Sequence, residues 1–328
     1  MWRSNRSHVI TRPFLCYLVV IAAMLNRRQK LLLLKFFSLF SVVRGYNILI
    51  IGLAQYLTSI YILAPDIPVR DVILDINLLM LVLASAAAIA GGYIINSFYD
   101  SEKDLINRPQ RTLLDRLVSQ NTKLSGYFVL NFLSVIFASY VSFRAVVFFS
   151  LYIFGIWFYS HKLKKYLFVG NLTASILYVV PFFAVFIYYK NFDLVIFVHA
   201  TYLFLLIAMT QVVKDLENLK GDLTQNYQTI PVVYGERSAK QLLTLLSLLT
   251  LIPALLLILK FEIGYMWIYF GASILALITF VIILWKADRK IHYLVLHMML
   301  KFIIVLGVFS IVLIDVDLLL NRFVNYLG

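Results

Sequence analysis

Long uncharged runs dominate this sequence, and they restrict it to one kind of solvent. A helix crossing the hydrocarbon core of a bilayer needs roughly 20 apolar residues, each adding ~1.5 Å of rise. Nine stretches meet or approach that length: about 45–64, 76–99, 125–143, 145–160, 168–189, 194–213, 239–259, 264–285 and 291–314. Little more than Phe143-Arg144 separates the third from the fourth. In lipid, the backbone polar groups of such runs have to be satisfied within the segment itself, which a helix does. The expected fold class is an all-α polytopic membrane protein of about nine transmembrane helices.

Composition agrees. Hydrophobic residues make up 62% of the chain and charged residues 14%, which excludes an ordinary soluble domain. The net charge of +13 would suit nucleic acid, but its distribution points elsewhere. Loops 100–124, 161–167, 214–238 and 286–290 hold most of the basic residues beyond the N-terminal arm, whereas the alternate loops hold only Arg70, Arg144, Lys190 and Lys260. This is the positive-inside pattern. It places the N-terminus and these basic loops on the cytoplasmic side of a cell (inner) membrane and the C-terminus outside, with anionic lipid rather than nucleic acid as partner.

Residues 1–43 read as a separate arm and 44–328 as a single transmembrane domain. In the arm, Arg3, Arg6 and Arg12 precede an apolar run from Phe14 to Leu25 that is short for a span. No A-x-A-like cleavage site follows it, which favours an interfacial helix or anchor over a targeting segment. The single cysteine, Cys16, allows neither an internal disulfide nor a thiolate metal site.

Acidic residues are costly near a membrane and are usually kept for function. Here they gather in two clusters where an apolar run meets a basic loop. The first reads Asn96-Ser97-Phe98-Tyr99-Asp100-Ser101-Glu102-Lys103-Asp104, the second Lys214-Asp215-Leu216-Glu217-Asn218-Leu219-Lys220-Gly221-Asp222. On a helix, Asn96, Asp100 and Asp104 share one face, as do Asp215 and Asp222 with Asn218 between them. Two facing stripes of hard oxygen ligands suit Mg²⁺ bridging to a diphosphate. The chemistry indicated is therefore on a phosphorylated lipid.

The first cluster continues into Asn107-Arg108-Pro109-Gln110-Arg111, and the second into Thr229-Ile230-Pro231-Val232-Val233-Tyr234-Gly235. Together they resemble the two signature loops of the UbiA-type intramembrane prenyltransferases, N-x3-D-x3-D with N-R-P-x-R, and K-D-x-E-(D/N)-x-x-G-D with K-T-(L/I)-P-x-x-x-G. Arg44-Gly45-Tyr46-Asn47 is similar to the family's R-P-x-N, and Tyr159-Ser160-His161-Lys162-Leu163-Lys164 with Gly170-Asn171 to its Y-S-x-x-L-K…G-N. The resemblance implies helices around a central cavity, capped by the two motif loops. It further implies that Asn96, Asp100 and Asp104 hold one Mg²⁺, and Asp215 and Asp222 a second, with Asn218 or Glu217 assisting. Arg108, Arg111, Lys162, Lys164 and Lys214 would bind the diphosphate of a polyprenyl donor, with Lys103 and Lys220 as further cations. Asn47 and Asn218 would line the cavity.

Breaking an allylic C–O bond leaves a carbocation and a diphosphate anion. Cations stabilise the second, and a dry, aromatic-rich cavity protects the first. The motif spacing most resembles the digeranylgeranylglyceryl-phosphate synthase-like branch, whose acceptor is a prenylated glycerol phosphate. An aromatic acceptor, as in the menaquinone and ubiquinone branches, is the alternative. A divalent-cation transporter would place its ligands near the bilayer midplane on broken helices, not at span ends. A CDP-alcohol phosphotransferase would need D-G-x2-A-R, which is missing. Three positions depart from the family pattern: Ser97, Thr112, and Asn218 in place of an aspartate. The histidines His161, His199, His292 and His297 read as interfacial or packing residues.

Overall fold

A computed structural model describes residue 26, residues 40–107 and residues 118–316. Among these, nine helices are long and apolar enough to cross a membrane, as the sequence predicts. The first span is α1 (Gly45–Thr58), which widens into a π-helical turn at Ser59–Leu63, and a short α2 (Val69–Ile73) follows. Next come α3 (Ile76–Tyr99), α4 (Ser101–Asn107), α5 (Gln120–Val141) and α6 (Phe143–His161). The remainder is α7 (Val169–Tyr189), α8 (Leu194–Thr224), α9 (Ile230–Lys260), α10 (Trp267–Lys286) and α11 (Lys290–Ser310). α3 packs on α1, α5 and α6, α8 packs on α7, α9 and α11, and α11 returns to α1. The helices thus close a ring.

Without a hydrophobic drive between helices in lipid, close approach depends on small residues. The run Ala84-Ser85-Ala86-Ala87-Ala88 supplies them to α3, and Ser134 of α5 donates to the Ala84 carbonyl at 2.8 Å. At Gly91 a Cβ would fall 2.8 Å from the Asn131 amide oxygen, so a larger residue would push that side chain aside. The outer faces carry Phe143, Leu49, Phe132 and Leu259 exposed, as lipid-facing surfaces do.

One boundary is set by a polar residue that a count of apolar residues overlooks, and one helix is shaped by a proline within it. Ser142 is extended (φ −173°, ψ 161°) and ends α5 while its side chain accepts the Ala145 N–H of α6 at 3.1 Å. That one residue separates the third span from the fourth. Pro181 lies within α7 and donates no hydrogen bond to the Leu177 carbonyl, which accepts from the Tyr152 hydroxyl at 3.1 Å instead. The Pro181 carbonyl in turn accepts from the buried Gln55 amide at 2.8 Å. This proline is built into the ring by its neighbours.

Other boundaries differ from expectation. α8 continues to Thr224, beyond the expected end at 213, because the second acidic cluster is itself helical. α9 starts at Ile230 rather than 239, with its backbone broken at Gly235 (φ 82°, ψ 166°), a conformation glycine adopts freely. Apart from Asn26 and 40–43, the arm expected over 1–43 lies outside the described residues.

Candidate active site

The first acidic cluster does not sit on one unbroken helix. α3 ends at Tyr99, Asp100 takes a non-helical turn (φ −94°, ψ 8°), and α4 restarts at Ser101. The backbone bonds Asp100 N–H to Asn96 O (2.9 Å) and Asp104 N–H to Asp100 O (2.8 Å) nevertheless continue the i to i−4 pattern. The expected stripe of Asn96, Asp100 and Asp104 therefore survives the break in the helix. The second cluster lies on the last turns of α8, where Asn218 and Asp222 are buried and Asp215 is half-buried.

Four elements meet between these stripes. Lys103 of α4 reaches across to Asp222 of α8, with Nζ to Oδ1 at 2.6 Å. Lys164, in the turn after α6, donates to Asp100 Oδ1 at 2.7 Å, and the Tyr227 hydroxyl donates to the same oxygen at 3.0 Å. Asn171, at the start of α7, donates to Asp215 Oδ2 at 2.8 Å. The Lys103 ammonium also stands 4.1 Å above the Tyr227 ring. Burial works against a charge on Asp100, but Lys164 and Lys103 outweigh it and hold the carboxyl below the usual range. Burial likewise opposes the Lys103 charge, and Asp100 with Asp222 raises its pKa in spite of it.

The close approach of α4 to α8 depends on Gly221. Its N–H donates to Asn107 Oδ1 at 3.2 Å, and a Cβ there would fall 2.3 Å from Asn107 Nδ2. The Asn107 carbonyl accepts from Lys290 of α11 at 2.7 Å. Glu217 points away from the cluster: its Oε2 is 2.8 Å from Nδ1 of buried His297 on α11. His297 thus packs as expected, but with a carboxylate partner.

Below the cluster lies a cavity with Asn96, Tyr93, Tyr159, Tyr178, Arg44 and Lys214 in its wall. Asn47 stands behind this wall and donates to the Tyr93 hydroxyl at 3.2 Å. Of the two lysines offered by the Tyr159–Lys164 segment, Lys164 is buried against Asp100 and Lys162 is exposed. Arg108 and Arg111 lie outside the described residues. Sequence reasoning gave no role to Tyr227 or Asn171. Asn171 belongs to a quoted motif, and Tyr227 stands between Asp222 and Thr229, so proximity to the signatures was the available signal.

The arrangement gathers ammonium groups and hard oxygen ligands at the mouth of a tyrosine-lined cavity. It can hold a polyanion outside and an apolar reacting group within. Residues 53–303 match the model of the UbiA prenyltransferase family. Digeranylgeranylglyceryl phosphate synthase from Saccharolobus solfataricus is 30% identical over 213 residues, covering 63% of this chain and 73% of that one. The enzyme of the same name from Methanobrevibacter smithii is 27% identical over 289 residues, covering 82% of this chain and 97% of that one. The fold is similar to a solved structure from work on digeranylgeranylglyceryl phosphate synthase in membranes (TM-score 0.64, 22% identity, 85% of this chain and 98% of that one). It is also similar to a UbiA homolog from Archaeoglobus fulgidus bound to GPP and Mg²⁺ (TM-score 0.62, 15% identity, 84% and 99% covered). The family match takes in well over half of the chain and both acidic clusters, and the protein is an integral membrane enzyme of the UbiA prenyltransferase family.

Proposed function

We propose that this enzyme transfers a polyprenyl group from its diphosphate to the free hydroxyl of a prenylated glycerol phosphate, with Mg²⁺ as cofactor. The observation that carries the reading is the meeting of Asp100, Asp215 and Asp222 with Lys103 and Lys164 above a tyrosine-lined cavity. The choice of acceptor is supported by the relatives named digeranylgeranylglyceryl phosphate synthase.

The oxygens present suit a hard cation. Asn218 Oδ1 and Asp222 Oδ2 are buried without a hydrogen-bond donor among the described residues. Among those residues no three His, Cys, Asp or Glu side chains gather around one point. A mixed set of carboxylate and amide oxygens, completed by substrate phosphate, is how Mg²⁺ is commonly held. Asn96, Asp100 and Asp104 would hold one ion, and Asp215, Asn218 and Asp222 the other. When bound, the ions neutralise charge building on the leaving diphosphate.

The chain's own residues do the rest. Lys103 and Lys164, with Arg108, Arg111 and Lys214, bind the diphosphate oxygens, the guanidinium groups bidentately and the ammonium groups as point charges. The allylic C–O bond breaks with its electron pair leaving on diphosphate. The acceptor hydroxyl oxygen forms the new C–O bond, and its proton passes to the released diphosphate. The tyrosine wall keeps water from the allylic cation meanwhile.

The test is transfer in detergent from labelled geranylgeranyl diphosphate to a geranylgeranylated glycerol phosphate, beside 1,4-dihydroxy-2-naphthoate and 4-hydroxybenzoate. Label is expected on the glycerol phosphate, and label on an aromatic would overturn the acceptor. EDTA is expected to silence the reaction and added Mg²⁺ to restore it; turnover that survives chelation would contradict the metal assignment.

The motif loops are assigned to the cytoplasmic face. With Cys16 replaced by serine, Asn121→Cys is expected to react with an impermeant maleimide only from that face, and Glu262→Cys only from the other. The opposite pattern would invert the topology.

A further inference from the structure

The cavity wall carries two cations, Arg44 and Lys214, and neither is ion-paired to a carboxylate among the described residues. Lys214 belongs to the motif end of α8, beside Asp215. Arg44 enters from a different wall, at the start of α1. Its backbone is left-handed (φ 50°, ψ 52°), a conformation that costs a non-glycine residue roughly 1–3 kcal/mol. Its guanidinium lies 5.0 Å from the centre of the Tyr93 ring. The Tyr93 hydroxyl accepts from Asn47 at 3.2 Å and is also hydrogen-bonded to Tyr178 of the same wall, so the two tyrosines and Asn47 form one polar patch beside Arg44.

A glycerol phosphate acceptor brings its own anion. The phosphate sits on the carbon next to the one bearing the reacting hydroxyl, so it has to enter the cavity whenever the hydroxyl does. A phosphate taken out of water needs a cation and hydrogen-bond donors. Lys103 and Lys164 already face Asp222 and Asp100 at the mouth. A guanidinium beside a tyrosine hydroxyl fits the phosphate geometrically, because its paired N–H groups match two oxygens at once.

We propose that Arg44, with Tyr93 oriented by Asn47, binds the phosphate of the acceptor and so selects phosphorylated acceptors over neutral ones. The inference rests on the acceptor reading given above. It assigns the donor diphosphate and the acceptor phosphate to different cations.

The experiment is steady-state transfer with Arg44→Met and Arg44→Lys, varying donor and acceptor separately. A prenylated glycerol lacking the phosphate serves as a second acceptor. Arg44→Met is expected to raise the acceptor KM roughly 10- to 100-fold, the loss of charge-assisted hydrogen bonds. The donor KM is expected to stay within about threefold, and Arg44→Lys to recover part of the loss. On the neutral acceptor the difference between Arg44→Met and the unaltered protein is expected to shrink to about threefold or less. A donor KM that rises as much as the acceptor KM, or an equal loss on the neutral acceptor, would overturn the assignment. Transfer by the unaltered protein to aromatic acceptors only would overturn the acceptor reading and this inference together. Normal transfer to the glycerol phosphate by Arg44→Met would overturn this inference alone.

Discussion

Asp222→Asn is expected to lower transfer at least about 10³-fold, because it removes the charge of a proposed metal ligand while keeping its shape. The same change strands Lys103. Asp222 is fully buried and Lys103 nearly so, and the two stand 2.6 Å apart. Removing one partner of a buried pair commonly costs about 3–5 kcal/mol, because the remaining charge has no compensation. A loss of activity alone would therefore not separate chemistry from folding. The double variant Asp222→Leu with Lys103→Met does so. It replaces the pair by apolar groups of similar volume, which is often neutral for stability. It is expected to regain the thermal midpoint lost by Asp222→Asn and to remain inactive. Activity near normal in either protein would remove Asp222 from the site.

Gly221→Ala is expected to lower kcat about 10- to 100-fold with little effect on expression, since it displaces a group that positions the site without touching substrate. The added methyl would occupy the place of the Asn107 amide, 2.3 Å from its nitrogen. Asn107 begins the Asn107–Arg111 segment, so a shift there moves proposed diphosphate-binding residues. Asn107→Ala makes room for the methyl but gives up the bond from the Gly221 N–H. The two changes are thus expected to be non-additive, with the double variant no worse than the poorer single one. Additive losses would mean that the two residues act independently.

The sequence carried most of the architecture because lipid leaves so few choices. Nine apolar runs became nine candidate spans among the described residues, and polar side chains set limits that those runs did not show. Ser142 divides two helices that apolar length alone nearly merges. The helical second cluster lengthens α8 because Asn218 and Asp222 are buried, Asp222 against Lys103 of α4, instead of ending the span. The oxygen stripes were legible, since helical spacing puts them on one face whatever the rest of the fold does. The cross-links were not. Nothing in a sequence shows that Lys164 rather than Lys162 faces Asp100, because the turn after α6 decides which of two similar side chains points inward. Tyr227, Asn171 and Lys290 meet the motifs only through tertiary packing, and no local period announces them.

Two cross-links to the motif segments come from α11: Lys290 on the Asn107 carbonyl and His297 on Glu217. α11 is the last of the candidate spans among the described residues. During synthesis, every acidic residue of both clusters is therefore made well before the helix that fastens them. A growing chain holds its carboxylates and lysines together without these two restraints. The finished arrangement becomes available only once α11 has joined the ring.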